Sequence, residues 1–171
     1  MATTVSCGTS GRDYSTIQAA HDAFVTGGYR IECYNDSEFT VTATVNMTGK
    51  ATSAANYLTL ACAAGQSWWD NAGNLTNAIR YNQANGVGLR KTNSYSYPLT
   101  IDESHTTVEG LQIQGSTGSD AIYVGFTRTN TILDKVISEG RRNGGQGGMY
   151  ALGSGKGINS WFVQRGTTGY A

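Results

Sequence analysis

Three hexapeptides from the second half of the chain, Val108-Glu-Gly-Leu-Gln-Ile113, Leu133-Asp-Lys-Val-Ile-Ser138 and Ile158-Asn-Ser-Trp-Phe-Val163, align at steps of 25 residues. The alignment superposes Val108, Leu133 and Ile158, then Leu111, Val136 and Trp161, with Gly115, Gly140 and, one residue late, Gly166 following. A fixed period of this length marks a stacked architecture in which each repeat buries its apolar face against its neighbours. At about 3.3 Å per residue one repeat has a contour near 80 Å, enough for one turn of a three-sided parallel β coil. Leucine-rich repeats overlap this length, but their L-x-x-L-x-L-x-x-N pattern is missing. Further back the register loosens, although Ile31-Glu-Cys33 and Leu60-Ala-Cys62 match at a spacing of 29, the extra residues being assigned to loops.

Composition agrees with this reading. Among 171 residues there are 23 glycines, one proline and only 14% charged side chains, which favours turns and strands over helices. Strand-like pieces are expected at Tyr29 to Tyr34, Phe39 to Thr48, Tyr57 to Ala63, Ala78 to Gln83, Gly86 to Thr92 and Leu99 to Asp102, then onward to the C-terminus. One helix is expected, Ser15 to Val25: Ser15 and Gln18 have the form of a capping box, and Ile17, Ala20 and Phe24 share a face that would cover the first coil. The expected fold is therefore all-β, a right-handed parallel β-helix of five to six coils with an N-terminal capping α-helix. Residues 1–28 form the N-terminal segment and cap, and residues 29–171 the solenoid, one domain overall. No comparable cap follows the last repeat, so Trp161, Phe162 and Val163, with Tyr170 beyond them, are the expected contact residues for a partner or a second copy.

Equal numbers of acidic and basic residues, 12 of each, and the lack of any basic cluster beyond Arg90-Lys91 and Arg141-Arg142 speak against nucleic acid. No apolar run approaches the ~18 to 20 residues of a membrane span, and the first 20 residues lack a signal-peptide pattern, so a soluble chain without membrane contact is expected. Cys7, Cys33 and Cys62 are odd in number and far apart, and read as buried thiols rather than a disulfide framework or metal site. No cofactor or metal is expected.

Gly11 to Ala20 (Gly-Arg-Asp-Tyr-Ser-Thr-Ile-Gln-Ala-Ala) resembles the entry helix of pectate-lyase-like right-handed β-helix proteins, including phage tailspikes, and Val108 to Gly115 is similar to their common coil. Glu32 to Asp36 with Tyr57 to Leu60 resembles β-helix proteins of bacteria and their phages. The resemblance implies the fold, and a setting on a virion surface or, alternatively, outside or on the surface of a cell. It is silent on activity, because the scaffold hosts lyases, hydrolases and inert structural parts alike.

Candidate chemistry is sparse. Glu109 and Asp134 share a register, with Asn159 continuing the column, and could supply the paired carboxyl groups of glycoside hydrolysis. Equally they sit between two strand-like pieces, where short polar residues make tight turns. Gln114, Glu139 and Gln164 form a second column, flanked by Arg141 and Arg142, which reads as solvated surface or as a grip on an acidic sugar. Trp68, Trp69, Tyr95 and Tyr97 could stack on sugars or anchor a protein interface, or equally pack across the outside of the coils. Asp102, Asp120 and Asp134 fall in different registers, so no clustered aspartates support a lyase. His21 and His105 read as exposed or capping residues, Gly153 to Gly157 as a turn, and the sequons at Asn35, Asn46 and Asn74 as chance. The expectation is a non-enzymatic structural protein of a phage particle, a capsid decoration or tail part, bound to other virion proteins or to itself, with a trimer as one form. The alternative is a module that binds or degrades a surface polysaccharide.

Overall fold

The computed structural model describes residues 3–26, 28–71, 80–93, 95–141, 148–151 and 155–164. Strand β1 (Thr3–Cys7) precedes helix α1 (Ile17–Asp22), and the first coil follows as β2 (Tyr29–Cys33), β3 (Phe39–Val41) and β4 (Val45–Met47). The second coil is β5 (Leu58–Cys62), β6 (Gly88–Lys91) and β7 (Leu99–Ile101); the third is β8 (Thr106–Glu109), β9 (Gln112–Thr117) and β10 (Ile122–Val124). The fourth is β11 (Thr131–Asp134), β12 (Ile137–Arg141) and β13 (Met149–Ala151), and β14 (Gly155–Ile158) and β15 (Trp161–Gln164) begin a fifth.

Equivalent strands of successive coils pair in parallel. The first sheet runs β1-β2-β5-β8-β11-β14, the second β4-β7-β10-β13 and the third β3-β6-β9-β12-β15. The molecule is a right-handed parallel β-helix of about five turns. Strand alternation sends one set of side chains inward, so Val5, Ile31, Leu60, Val108 and Leu133 stack in a single file down the first sheet. Ile31, Leu60, Val108 and Leu133 are fully buried, as are the corner residues Leu111 and Val136.

Corners set the repeat. Gly110, Lys135 and Asn159, each at the turn from the first sheet to the third, all have positive φ (78°, 53° and 49°). His105 and Asn130 do the same at the turn into the first sheet (53° and 57°). A left-handed residue redirects the chain within one step, and Asn tolerates that region better than most residues with a Cβ.

Several expectations change. The step of 25 holds from the third coil to the fourth, but the fifth coil is one residue shorter: Trp161 lies opposite Ile137, and Gly157 rather than Ile158 lies opposite Leu133. The connection before β13 is two residues longer than its predecessor and the one after it three shorter, which shifts the register by one. Trp161 therefore leaves the file of Leu111 and Val136, and Asn159 takes the corner instead of continuing Glu109 and Asp134. Phe39 to Thr48 is two strands around a corner, and β1 was not expected at all, since Val5 and Cys7 are its only strongly apolar residues. Of Ala78 to Gln83, the described residues 80–82 are irregular and a 3-10 turn, Gln83–Asn85, follows them. Gly155–Ile158 is a strand where a turn was expected; Gly153 lies outside the described residues. Helix α1 is shorter than expected because Thr16, not Ser15, is its cap: Thr16 is extended and its hydroxyl accepts a 3.1 Å hydrogen bond from the Ala19 amide. Gln18 turns away from the cap, donating to Asp22 (2.8 Å) and accepting from the Asn46 amide (2.7 Å). No helix among the described residues is long and apolar enough to cross a membrane.

The cap buries His21 rather than exposing it, beside Ile17 and Ala20, while Phe24 stacks on Tyr29 with centroids 4.0 Å apart. His21 Nδ1 sits 3.2 Å from Asp22, and among the described residues Nε2 has no hydrogen-bond partner. Burial pushes the imidazole below its usual value, against the opposing pull of Asp22. A base with a depressed folded value binds fewer protons folded than unfolded, so stability rises with pH through that window. The contribution is fully present above the unfolded value of about 6.5 and is lost as pH falls from there to the depressed one. Urea midpoints measured along this range are expected to fall on acidification, and His21→Phe is expected to flatten that part of the slope.

Candidate functional site

The outward face of the first sheet carries the chain's densest set of described ionic contacts. In β2 the alternation that buries Tyr29, Ile31 and Cys33 turns Arg30 and Glu32 outward. Along the sheet Glu32, Ala61, Glu109 and Asp134 occupy one register. Arg30 lies 3.0 Å from Glu32 and 3.4 Å from Glu109, an ion pair that spans the intervening strand β5. The small side chain of Ala61 leaves that path open.

The long connection after β5 walls one side. Ser67 donates from its hydroxyl to Asp70 (2.8 Å) and accepts from the Asp70 amide (3.0 Å), which folds residues 67–70 tightly. Trp68 is buried beneath this turn, its indole N–H donating to the Lys135 carbonyl, and Trp69 packs edge-on against it at 5.5 Å. Trp69 stays 42% exposed, with the Lys135 ammonium 5.8 Å from its ring centroid. The result is a groove of about 260 Å³ between sheet and wall, lined by Arg30, Glu32, Asp70, Glu109, Lys135 and the edge of Cys62. A larger hollow of about 390 Å³ lies at the N-terminal end between α1 and β3–β4, where Glu38 is the only ionisable lining residue.

The expected site residues divide accordingly. Glu109 and Asp134 are adjacent in register as expected, but Glu109 is held by Arg30 and Asp134 accepts from the Asn159 side-chain Nδ2 at 3.5 Å. Acid–base work on a glycosidic bond needs one carboxyl that carries a proton and one that does not. Each accepts one hydrogen bond, Glu109 from Arg30 and Asp134 from the Asn159 side chain. Trp68 is core rather than a sugar platform, and Trp69 packs on it with its ring partly exposed near Lys135. Tyr97 stacks on Tyr123 of the second sheet at 5.2 Å, while Tyr95, 82% exposed, lies over Gly118 beside the strand end at Arg141. Arg142 and Tyr170 lie outside the described residues.

Gln114 and Glu139 pair in register, but Glu139 is fully buried under residues 80–86, not solvated, and Gln164 lies opposite Gly140. His105 packs edge-on against Tyr57 at 5.3 Å, and Asp102 pairs with Arg128 at 2.7 Å. Among the described residues no three His, Cys, Asp or Glu side chains converge as a metal site. Sequence reasoning missed Arg30, Glu32, Asp70 and Lys135. The alternation in Tyr29–Cys33 and the matched pair Cys33/Cys62 carried the signal for the first two; the wall came from a loop with no counterpart in the repeat.

In comparisons with known proteins, no family model matches this chain, nor does any curated protein or solved structure.

Proposed function

We propose that this chain is a non-enzymatic structural β-helix protein that works through protein contacts at Trp161 and Phe162 of β15. One observation carries the reading. Phe39, Leu89, Ile113, Ser138 and Phe162 form the inward file of the third sheet, and the first four are buried while Phe162 remains 38% exposed over Gly157. Trp161, in the next file below buried Ile137, is 48% exposed. Trp161 and Phe162 point to opposite faces of β15 and are both partly exposed, so each offers an aromatic anchor for an interface. A hydrogen-bonded stack is also stiff, which suits a spacer or clamp. The setting proposed is the surface of a phage particle, as a capsid decoration or tail-associated part; it rests on the resemblance of Gly11–Ala20 and Val108–Gly115 to tailspike-type β-helix proteins.

The test is sedimentation of the full chain. Self-association is expected, and Trp161→Ser combined with Phe162→Ser is expected to return a folded monomer. A wild-type monomer that binds an oligosaccharide, with binding lost in Trp69→Ala, would replace this reading by the carbohydrate one.

A further inference from the structure

All three cysteines meet in one file. Cys7 lies opposite Cys33 and Cys33 opposite Cys62, on consecutive strands β1, β2 and β5. Cys7 and Cys33 are fully buried, and Cys62 is nearly so. Gly110 closes the file: it has no side chain, and a Cβ there would lie 3.4 Å from the Cys62 sulfur. That leaves the edge of Cys62 on the groove between Arg30, Ser67 and Lys135, so the buried file has one end facing solvent.

The spacing decides what such a file can hold. In-register side chains on parallel strands repeat the strand separation, about 4.7 to 4.9 Å. A disulfide needs its Cβ atoms within about 3.5 to 4.5 Å, so each pair is a few tenths of an ångström too wide. Rotation about Cα–Cβ lets the sulfurs of such a pair reach the separation of about 4.6 Å, twice a metal–thiolate bond of about 2.3 Å, that holds an ion midway between them. No third ligand converges there among the described residues, which leaves a tetrahedral zinc site incomplete. Soft thiolates select soft cations that accept two ligands in line. The surroundings are apolar, and a divalent ion with two thiolates is the neutral combination there.

We propose that Cys33 and one neighbouring cysteine bind a soft, two-coordinate divalent cation of the mercuric type, with Cys33 as the ligand common to both possible pairs. Two S–H bonds break and two S–metal bonds form; Hg²⁺ and two thiols give a neutral bis-thiolate and two protons released to solvent. No electron moves. Cys62, at the groove, is the point of entry.

The experiment titrates the reduced full chain with mercuric chloride, following thiolate-to-metal charge-transfer absorbance and the mercury X-ray absorption edge. One ion per chain is expected, with two sulfurs at about 2.3 Å. Cys7→Ala and Cys62→Ala each leave one adjacent pair and are expected to keep the ion. Cys33→Ala leaves sulfurs about two strand spacings, ~9.6 Å, apart and is expected to lose it. The double variant Cys7→Ala with Cys62→Ala retains Cys33 and is also expected to lose it, which separates ligand loss from damage at the central position. Uptake by Cys33→Ala equal to wild type, one ion retained by the double variant, or a single sulfur per ion would overturn the assignment.

Discussion

Leu60→Ala is expected to cost about 2 to 5 kcal/mol, towards the upper end of that range for buried leucines. Leu60 is the middle member of the file Val5–Ile31–Leu60–Val108–Leu133 and has no exposed surface. In a bundle, neighbours can lean into a cavity. In a β-helix the strands above and below are pinned by backbone hydrogen bonds about 4.8 Å away, so Ile31 and Val108 cannot close the gap without breaking the ladder. The lost transfer energy and the cavity both remain. Urea denaturation is the check, with Thr59→Ala, one residue earlier and pointing outward, as the control expected to stay within about 1 kcal/mol. Equal losses in the two variants would mean that Leu60 does not face the interior. A lowered m-value in Leu60→Ala would show the first coils separating from the rest, as nearest-neighbour coupling in a stacked protein allows.

Glu139→Ala is expected to cost about 3 kcal/mol and to release a specific segment. Residues 80–86 cross the outside of the third sheet as a strap, and the sheet presents them with hydrogen-bonding pegs. Glu139 accepts from the Gln114 side-chain amide at 2.8 Å and from the Tyr81 amide at 3.3 Å. Gln112 accepts from the Asn82 amide at 3.0 Å and donates to the carbonyls of Asn82 and Gly86, at 2.9 and 3.1 Å. Tyr81 then donates its hydroxyl to Glu38 at 2.6 Å, and burial with that carboxylate holds the phenol protonated well above its usual value. Truncating Glu139 removes the acceptor of two partly buried donors at once. Hydrogen exchange at the Tyr81 amide is expected to rise towards that of an exposed loop, while the Ile113 amide in β9 changes little. Glu139→Gln keeps the shape and one acceptor, so it is expected to fall between wild type and Ala. Unchanged protection at Tyr81 in Glu139→Ala would show that Gln112 and the Tyr81–Glu38 bond hold the strap without Glu139.

The two substitutions differ in how visible their sites are in the sequence. Leu60 was legible, because Ile31-Glu-Cys33 and Leu60-Ala-Cys62 repeat the same alternation at a spacing of 29, and the structure pairs them residue for residue. Glu139 was not. Its column with Gln114 could be written down, but a polar outward residue is solvated unless something lies over it, and the strap is an insertion outside the repeat. The groove has the same origin: Arg30 and Glu32 follow from strand alternation and Lys135 from the corner after β11, whereas Ser67 and Asp70 join them only because the connection after β5 folds back on the sheet.

The last coil shows the limit from another side. A period read as 25 throughout puts Trp161 beneath Val136, yet two loops of altered length move it beneath Ile137. Loop lengths are weakly constrained by stability, since closing a slightly longer loop costs little. The lattice of backbone hydrogen bonds then absorbs the difference by changing which residue enters next.

What the amino-acid sequence determined by itself is the winding: apolar residues every second position, recurring at intervals of one coil, can all be buried only if the strands stack in parallel. What the tertiary structure decided is which polar residues meet across the irregular segments, namely Glu139 with Tyr81, Gln112 with Asn82, and the Lys135 carbonyl with Trp68. Burial by alternation is local and leaves a periodic trace. Contacts between side chains brought together by insertions and caps depend on how irregular segments lie across the regular stack, and such segments leave no period to read.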